Sequence, residues 1–162
     1  MLDLKNWLNP GHYKRLWNVG PPGLLISVLL IYATIQYERV FNIRGYEMGE
    51  TWFVILFLLV FFEAIFILFW ALFSLPPKHR GKILCKNGIY AFVRHPIYTV
   101  VIFHTNALSS LWFGSFLLLF LIPLQYLLWS KMVVKEEEYL VGIFGQEYID
   151  YMSNVSRFIP WK

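Results

Sequence analysis

The sequence lacks most of what a metal-binding or disulfide-linked protein needs. Cys85 is the single cysteine among 162 residues, which excludes a disulfide within the chain and a thiolate cluster for a metal. His79, Cys85 and His95 do not have the spacing of zinc ligands, so we expect no metal site. The first twenty residues lack the unbroken apolar core of a cleavable signal peptide, and we expect none there.

Charged residues are also scarce, at 15% of the chain, whereas 58% is hydrophobic and 20% aromatic. Soluble domains have about half apolar and about a quarter charged residues. The net charge of +4 would suit nucleic acid, but the basic residues lie in the gaps between apolar runs, where membrane topology requires them. The composition therefore indicates an integral membrane protein in contact with lipid, and argues against nucleic-acid binding.

Four apolar runs set the expected architecture. They cover residues 22–40, 51–75, 97–110 and 112–134. The first, second and fourth runs are long enough to cross a bilayer, and the third run is marginal in length. Between Leu108 and Trp112 there is room only for a tight turn around Ser109-Ser110, which predicts a helical hairpin. The predicted fold class is all-α, a single polytopic domain over residues 1–162 with about four transmembrane helices.

The basic residues set the expected orientation. Five Lys and Arg residues lie between 76 and 96, against two between 38 and 50. The positive-inside rule then places the 76–96 loop and the N-terminus in the cytoplasm, and the hairpin returns the C-terminus to the same side. Polar motifs at 88–98 and 136–160 would thus share one cytoplasmic site.

The first of these motifs is Gly-Ile-Tyr-Ala-Phe-Val-Arg-His-Pro-Ile-Tyr at 88–98. Pro96 suits the first position of a helix, and a helix start presents unpaired N–H groups and the positive end of the helix dipole. Arg94 and His95 directly before it would add side-chain donors. The stretch therefore predicts a site for a carboxylate or phosphate at the membrane surface.

The second motif begins with three consecutive glutamates at 136–138, directly after the fourth apolar run. Apolar residues at spacings of three and four then predict an amphipathic C-terminal helix against the membrane. The glutamates are interpreted either as a solvated patch that balances Lys131 and Lys135, or as carboxylates that accept hydrogen bonds from a ligand ammonium. With Arg94 and His95 opposite, the second interpretation suits a zwitterionic amino-acid head group.

Together the motifs resemble the isoprenylcysteine carboxyl methyltransferase family of integral-membrane, S-adenosylmethionine-dependent enzymes. The matching positions follow in order through half of the chain: Gly88, Tyr90, Arg94, His95, Pro96, Tyr98, Glu136, Glu137, Leu140, Phe144, Gly145, Tyr148, Tyr151, Ile159 and Pro160. The resemblance implies S-adenosylmethionine as cofactor, with His95 at its carboxylate and Glu136 or Glu137 at its amino group. It also implies that three tyrosines help to wall the pocket, namely Tyr90, Tyr98 and Tyr148.

Methyl transfer from a sulfonium requires mainly that two reactants be positioned and water excluded. A carboxylate acceptor needs a cation to hold it, for which Arg94, Lys135 and Arg157 are candidates, whereas an amine or thiol needs a base. We take Arg94, Glu137 and Arg157 as candidate catalytic residues; Arg157 is interpreted equally well as a lipid-headgroup contact.

The expected function is methyl transfer to a lipophilic acceptor, an isoprenylcysteine carboxylate or another lipid-linked group, in a bacterial or archaeal cell membrane. Phospholipid N-methylation is the alternative within enzymes, and a non-catalytic scaffold or transporter subunit is the alternative of another class. Glu63, inside the second apolar run, is interpreted either as functional or as a helix-to-helix hydrogen-bonding group. His104 and Asn106 in the third run favour interhelical hydrogen bonding.

Overall fold

A computed structural model describes residues 19–160, which are predominantly helical. The helices are α1 (Gly20–Val40), α2 (Glu50–Ser74), α3 (Pro96–Thr99), α4 (Thr105–Phe113), α5 (Phe116–Phe144) and α6 (Gln146–Asn154). A π-helical segment, Val100–His104, joins α3 to α4 without a break, and two 3-10 turns, Pro77–His79 and Gly88–Ala91, lie between α2 and α3. The all-α prediction is confirmed. The N-terminal segment that was expected in the cytoplasm falls on residues 1–18, outside the described residues.

Within residues 19–160, three helices are long and apolar enough to cross a membrane, namely α1, α2 and α5. Their lengths of 21, 25 and 29 residues correspond to roughly 31 to 44 Å of helix. Large apolar side chains are exposed along these helices, among them Leu25, Phe62, Phe66 and Phe120. A soluble monomer does not expose apolar surface on this scale, so the chain is an integral membrane protein.

The prediction of four membrane spans is confirmed for three. The third predicted run forms the shorter helical stretch 96–113, in which the π-helical segment separates α3 from α4. None of its parts is long enough to count as a span on its own.

The predicted hairpin turn at Ser109-Ser110 is wrong, because the chain reverses at Gly114 and Ser115. Gly114 has a φ of +63°, the left-handed conformation that glycine adopts at helix ends. The Ser115 hydroxyl accepts a hydrogen bond from the backbone N–H of Leu118 and caps α5. Ser110 is buried inside α4 and donates to the Ser115 carbonyl at 2.6 Å. Its hydroxyl therefore serves helix packing.

The predicted amphipathic helix also begins later than the glutamates. Residues 136–138 lie inside α5, which continues to Phe144. Gly145, with a φ of +57°, ends α5, and the separate α6 starts at Gln146. Because all three glutamates belong to one regular helix, they point in different directions around its axis. Glu137 is buried and Glu138 is exposed.

Trp129 fixes α1 against α5 directly beside the site. Its ring is fully buried, and its Nε1 donates to Ser27 Oγ at 3.0 Å. Gly23 makes this approach possible, because a Cβ at that position would lie 2.4 Å from the Trp129 ring. On the other side of the site, Ala71 of α2 packs against the Gly88–Ala91 turn.

Candidate active site

The C-terminal segment holds Arg94 and His95 in place through backbone pairing. Val93 and Ser156 form an isolated parallel bridge. The Arg94 N–H donates to the Ser156 carbonyl at 2.8 Å, and the His95 N–H donates to the Arg157 carbonyl at 3.0 Å. This pairing brings Arg157 to Arg94 and His95 although the two segments are far apart in sequence.

Glu137 is the centre of a buried group of charges, which we call the Glu137 cluster (Glu137, Arg94, His95 and Arg157). Its Oε1 accepts Nε and Nη2 of Arg94 at 3.0 and 2.7 Å, and its Oε2 accepts Nε and Nη2 of Arg157 at 3.0 and 2.7 Å. His95 Nε2 lies 3.3 Å from Oε1. The Glu137 and Arg94 side chains are only 6% and 8% exposed. Two guanidinium forks thus compensate a carboxylate that burial alone would make costly.

The two arginines of the Glu137 cluster have further partners on the backbone. Arg94 Nη1 donates to the carbonyls of Met152, at 2.9 Å, and Val155. Arg157 Nη1 donates to the Ser130 carbonyl at 3.3 Å. The structure therefore brings together all three candidate catalytic residues, and it places Glu137 between the two guanidinium groups.

Glu136 has different surroundings from its neighbour. Its Oε2 accepts the hydroxyl of Tyr98 at 2.8 Å, and its Oε1 lies 3.9 Å from His95 Nδ1. The side chain is 22% exposed and lines a cavity, whereas Glu137 does not. The adjacent glutamates thus divide between the cavity wall and the Glu137 cluster behind it.

The cavity has a volume of about 310 Å³ and lies between α1, the connection from α2 to α3, and the ends of α5 and α6. Five of the six predicted cofactor-binding residues line it, and Glu137 is the exception. Those five are Tyr90, His95, Tyr98, Glu136 and Tyr148, and Arg94 lines the cavity as well. Its apolar side is formed by Leu24, Ile97, Val101 and Trp129. One cavity therefore offers both charged and apolar walls.

Buried tyrosines complete the polar wall as hydrogen-bond donors. Burial raises the pKa of Tyr90 from 10.0 to about 12, and burial raises the pKa of Tyr148 as well. The Tyr151 hydroxyl donates to the Tyr90 carbonyl at 2.6 Å and fixes α6 against the Gly88–Ala91 turn. At neutral pH these phenols stay protonated, so they are donors and not bases.

Arg80 is a cavity residue that sequence reasoning did not single out. It follows the Pro77–His79 turn, and its N–H donates to the Pro77 carbonyl at 3.3 Å. Within residues 19–160, its buried Nη2 has no hydrogen-bond partner. In the sequence it is one of five basic residues in a loop, and no motif distinguishes it from the others.

The polar residues inside the apolar runs pair with one another away from this cavity. His104 Nε2 lies 3.7 Å from Glu63 Oε2, which links the π-helical segment to α2. Asn106 accepts a hydrogen bond from Gln125 Nε2 at 3.3 Å and joins α4 to α5. The expectation of an interhelical hydrogen bond is therefore confirmed for Asn106, whereas His104 makes an interhelical contact with Glu63 that is longer than a hydrogen bond. Across residues 19–160, no group of three or more His, Cys, Asp and Glu side chains is placed to hold a metal ion.

Fold and site together define an integral membrane protein that carries a charged cavity at the ends of its helices. The chain belongs to the Isoprenylcysteine carboxyl methyltransferase (ICMT) family, whose sequence model matches residues 54–142. The matched range includes Arg94, His95 and both glutamates of the site. The resemblance inferred from the motifs is thereby confirmed.

Curated relatives match about half of the chain. The Protein-S-isoprenylcysteine O-methyltransferase of Schizosaccharomyces pombe is 38% identical over 87 residues, which cover 51% of this chain and 35% of that protein. The protein of the same name from Saccharomyces cerevisiae is 30% identical over 84 residues, 52% of this chain and 35% of that protein. Methanethiol S-methyltransferase 1 of Bradyrhizobium diazoefficiens is 33% identical over 87 residues, which cover 54% of this chain and 28% of that protein.

The aligned part thus covers about a third of the length of these relatives. No solved structure gives a significant match to the chain.

Proposed function

We propose that the protein transfers a methyl group from S-adenosylmethionine to a lipophilic acceptor that enters from the bilayer, an isoprenylcysteine carboxylate or a similar lipid-linked group. One observation carries this proposal: a single cavity has Glu136, His95 and Arg94 on one wall and the apolar side chains of membrane helices on the other. A charged cofactor head group and a lipophilic acceptor need such walls side by side. Family membership supports the same reaction.

The cavity residues fit the cofactor's amino-acid head group. Glu136 is positioned by Tyr98, and its Oε1, which lies 3.9 Å from His95 Nδ1, has no closer polar partner among the described residues. We assign the ammonium to Glu136 in preference to Glu137, whose oxygens already accept from two arginines. His95 lies between the two glutamates, with Nδ1 3.9 Å from Glu136 at the cavity wall and Nε2 3.3 Å from Glu137 behind it.

The tyrosines complete the proposed cofactor site. Tyr90 and Tyr148 supply aromatic wall and hydroxyl donors on the side opposite α1. When bound, the cofactor supplies an electrophilic methyl group on a sulfonium. The contribution of the protein is to position the reactants and to exclude water, because the leaving group of this displacement is neutral.

Arg94 is the proposed contact for an acceptor carboxylate. It lines the cavity, and its guanidinium is fixed by Glu137 and by two backbone carbonyls. Glu137 acts on the acceptor by holding Arg94 in one orientation and by balancing its positive charge, and Arg157 in turn fixes the Glu137 carboxylate. A cation fixed in this way orients a carboxylate oxygen without moving during the reaction.

The membrane arrangement that we propose has the Arg94 end of the 96–113 stretch, the 76–96 loop and α6 on the cytoplasmic side. The helical stretch 96–113 then enters the bilayer as the fourth membrane element and returns through α5. This orientation follows the basic residues of the 76–96 loop. A bacterial or archaeal cell membrane is the proposed location.

A small thiol is the second candidate acceptor, because one relative is named for methanethiol. A thiol must lose a proton before it attacks, so it requires a base, whereas a carboxylate requires only the cation that Arg94 provides. Phospholipid amines would require a base as well. The charges of the described cavity therefore favour a carboxylate.

The direct test incubates purified protein in lipid nanodiscs with methyl-labelled S-adenosylmethionine and one of three acceptors: a prenylated cysteine, methanethiol, or phosphatidylethanolamine. We expect label in the prenylated cysteine that mild base releases, as a methyl ester requires. Base-stable label in the thiol or the phospholipid would assign the reaction to the alternative acceptors. The Arg94→Gln variant should lower transfer to the carboxylate at least tenfold while cofactor binding remains. Absence of transfer to all three and to a membrane lipid extract would contradict the proposal.

A further inference from the structure

Four ionisable side chains other than tyrosine and cysteine line the cavity, and three of them have partners. These are Arg94, His95 and Glu136. Arg94 donates to Glu137 and to the backbone, and Glu136 accepts from Tyr98. Arg80 is the fourth, and its buried Nη2 has no hydrogen-bond partner among the described residues.

Because Nη2 of Arg80 is buried without an acceptor, a ligand that supplies an acceptor would be stabilised there. Leaving such a donor without a partner is costly, and a guanidinium fork matches a carboxylate with two parallel hydrogen bonds. Among residues 19–160, Nη2 of Arg80 has no acceptor of this kind. Glu136 is the charge of opposite sign on the same cavity. Arg80 thus offers a hydrogen-bond donor to the negative group of a zwitterionic ligand, and Glu136 offers an acceptor to its positive group.

His95 is less suited to bind a ligand carboxylate. Its Nε2 lies 3.3 Å from Glu137 and its Nδ1 lies 3.9 Å from Glu136. Both ring nitrogens are therefore directed at the protein's own carboxylates. An incoming anion would have to compete with them for the same N–H groups.

We propose that Arg80 binds the carboxylate of the cofactor's amino-acid head group while Glu136 binds its ammonium. This inference rests on the proposed function and replaces the expectation that His95 receives the carboxylate. Arg80 lies in the folded connection that also supplies Gly81, Ile83 and Leu84 to the cavity wall. The ion pair between Arg80 and the head group would thus hold this connection against the bound cofactor.

The test titrates S-adenosylhomocysteine and its decarboxylated analogue, which keeps the ammonium and the adenosine, into purified protein by calorimetry. The variants are Arg80→Gln, Arg80→Lys and His95→Ala. The matched control is Lys82→Gln, because Lys82 is an exposed cation of the same loop that does not line the cavity. Unfolding midpoints of all variants show whether the fold is retained.

We expect Arg80→Gln to weaken binding of S-adenosylhomocysteine about ten- to a hundredfold, as for loss of a charge-assisted hydrogen bond. Binding of the decarboxylated analogue should change by less than about threefold, because the contact is absent there already. Arg80→Lys should restore part of the affinity, and Lys82→Gln should behave as wild type for both ligands.

Three results would overturn the proposal. Equal losses for both ligands would mean that Arg80 acts on the fold of the loop. If His95→Ala but not Arg80→Gln selectively weakens binding of S-adenosylhomocysteine, the cofactor carboxylate is bound by His95. Unchanged cofactor affinity in Arg80→Gln with a raised KM for a carboxylate acceptor would assign Arg80 to the acceptor. Failure of the wild-type protein to bind either ligand would instead overturn the proposed function itself.

Discussion

We expect the adjacent residues Glu136 and Glu137 to have different roles, Glu136 in cofactor binding and Glu137 in stability, and a pair of isosteric substitutions tests this difference. Glu137→Gln removes the charge between Arg94 and Arg157, both of which donate two hydrogen bonds to it. Glu136→Gln leaves an oxygen that still accepts from Tyr98. The first change disrupts a buried cluster, and the second alters one cavity wall.

The expected losses of stability and affinity follow from how deeply each glutamate is buried and how many partners it has. Removing one member of a buried ion pair costs about 3 to 5 kcal/mol, because the remaining charges are left uncompensated. Arg157 is 33% exposed and water relieves part of this cost, so we expect about 3 kcal/mol for Glu137→Gln. Glu136→Gln should lower stability by less than about 1 kcal/mol, yet it should weaken cofactor affinity by ten- to a hundredfold, or about 1.5 to 3 kcal/mol.

Chemical unfolding in detergent micelles and titration with S-adenosylhomocysteine measure the two quantities on the same preparations. Glu138→Gln is the control, because Glu138 is exposed and one residue further along α5. It should stay within about 0.5 kcal/mol of wild type in both assays. Equal, small changes in stability and affinity for all three variants would refute the reasoning, because they would show that the three glutamates form a solvated acidic patch.

Two further predictions concern orientation and packing. In a cysteine-free background, a cysteine at exposed Gly49 should react with an impermeant thiol reagent outside intact cells, and one at Lys82 should not; the reverse pattern would contradict the proposed topology. Gly23→Ala should cost about 1 to 3 kcal/mol, because its Cβ would lie 2.4 Å from the Trp129 ring. Gly142→Ala, with open space at its Cβ, should be neutral or stabilising in the same unfolding assay.

Membrane helices could be predicted from the sequence because a bilayer demands long apolar runs. Lipid offers no hydrogen bonds, so a spanning helix satisfies its backbone groups internally and carries a run of about 20 mainly apolar residues. The runs at 22–40 and 51–75 therefore match α1 and α2 closely, whereas the run at 112–134 matches only the first part of α5, which continues to Phe144. The helix ends were less predictable, because they depend on contacts with other elements.

The turn between α4 and α5 shows this dependence. Ser109-Ser110 looks like a polar break, but the Ser110 hydroxyl is satisfied by the Ser115 carbonyl and lies 3.2 Å from the Tyr46 hydroxyl. Gly114 accepts the left-handed conformation that the reversal requires. No local pattern shows that Ser110 will be buried against Tyr46, which is distant in sequence.

The site could be predicted as a set of residues but not as an arrangement. The motifs indicated Arg94, His95 and the glutamates, and the structure brings these together. Which glutamate faces the cavity depends on the rotation of α5 against α3, which periodicity does not determine. Arg80 could not be distinguished because its burial results from the fold of a loop that carries five basic residues.

The central claim is that the cavity walled by Glu136 and Tyr98 binds the amino-acid end of S-adenosylmethionine. Titration of S-adenosylhomocysteine into wild-type protein and Glu136→Gln in lipid nanodiscs tests it most directly. The account predicts saturable binding of one ligand to each wild-type chain, weakened at least tenfold in the variant. Absence of saturable binding to the wild-type protein, or equal affinity in a folded Glu136→Gln variant, would contradict it.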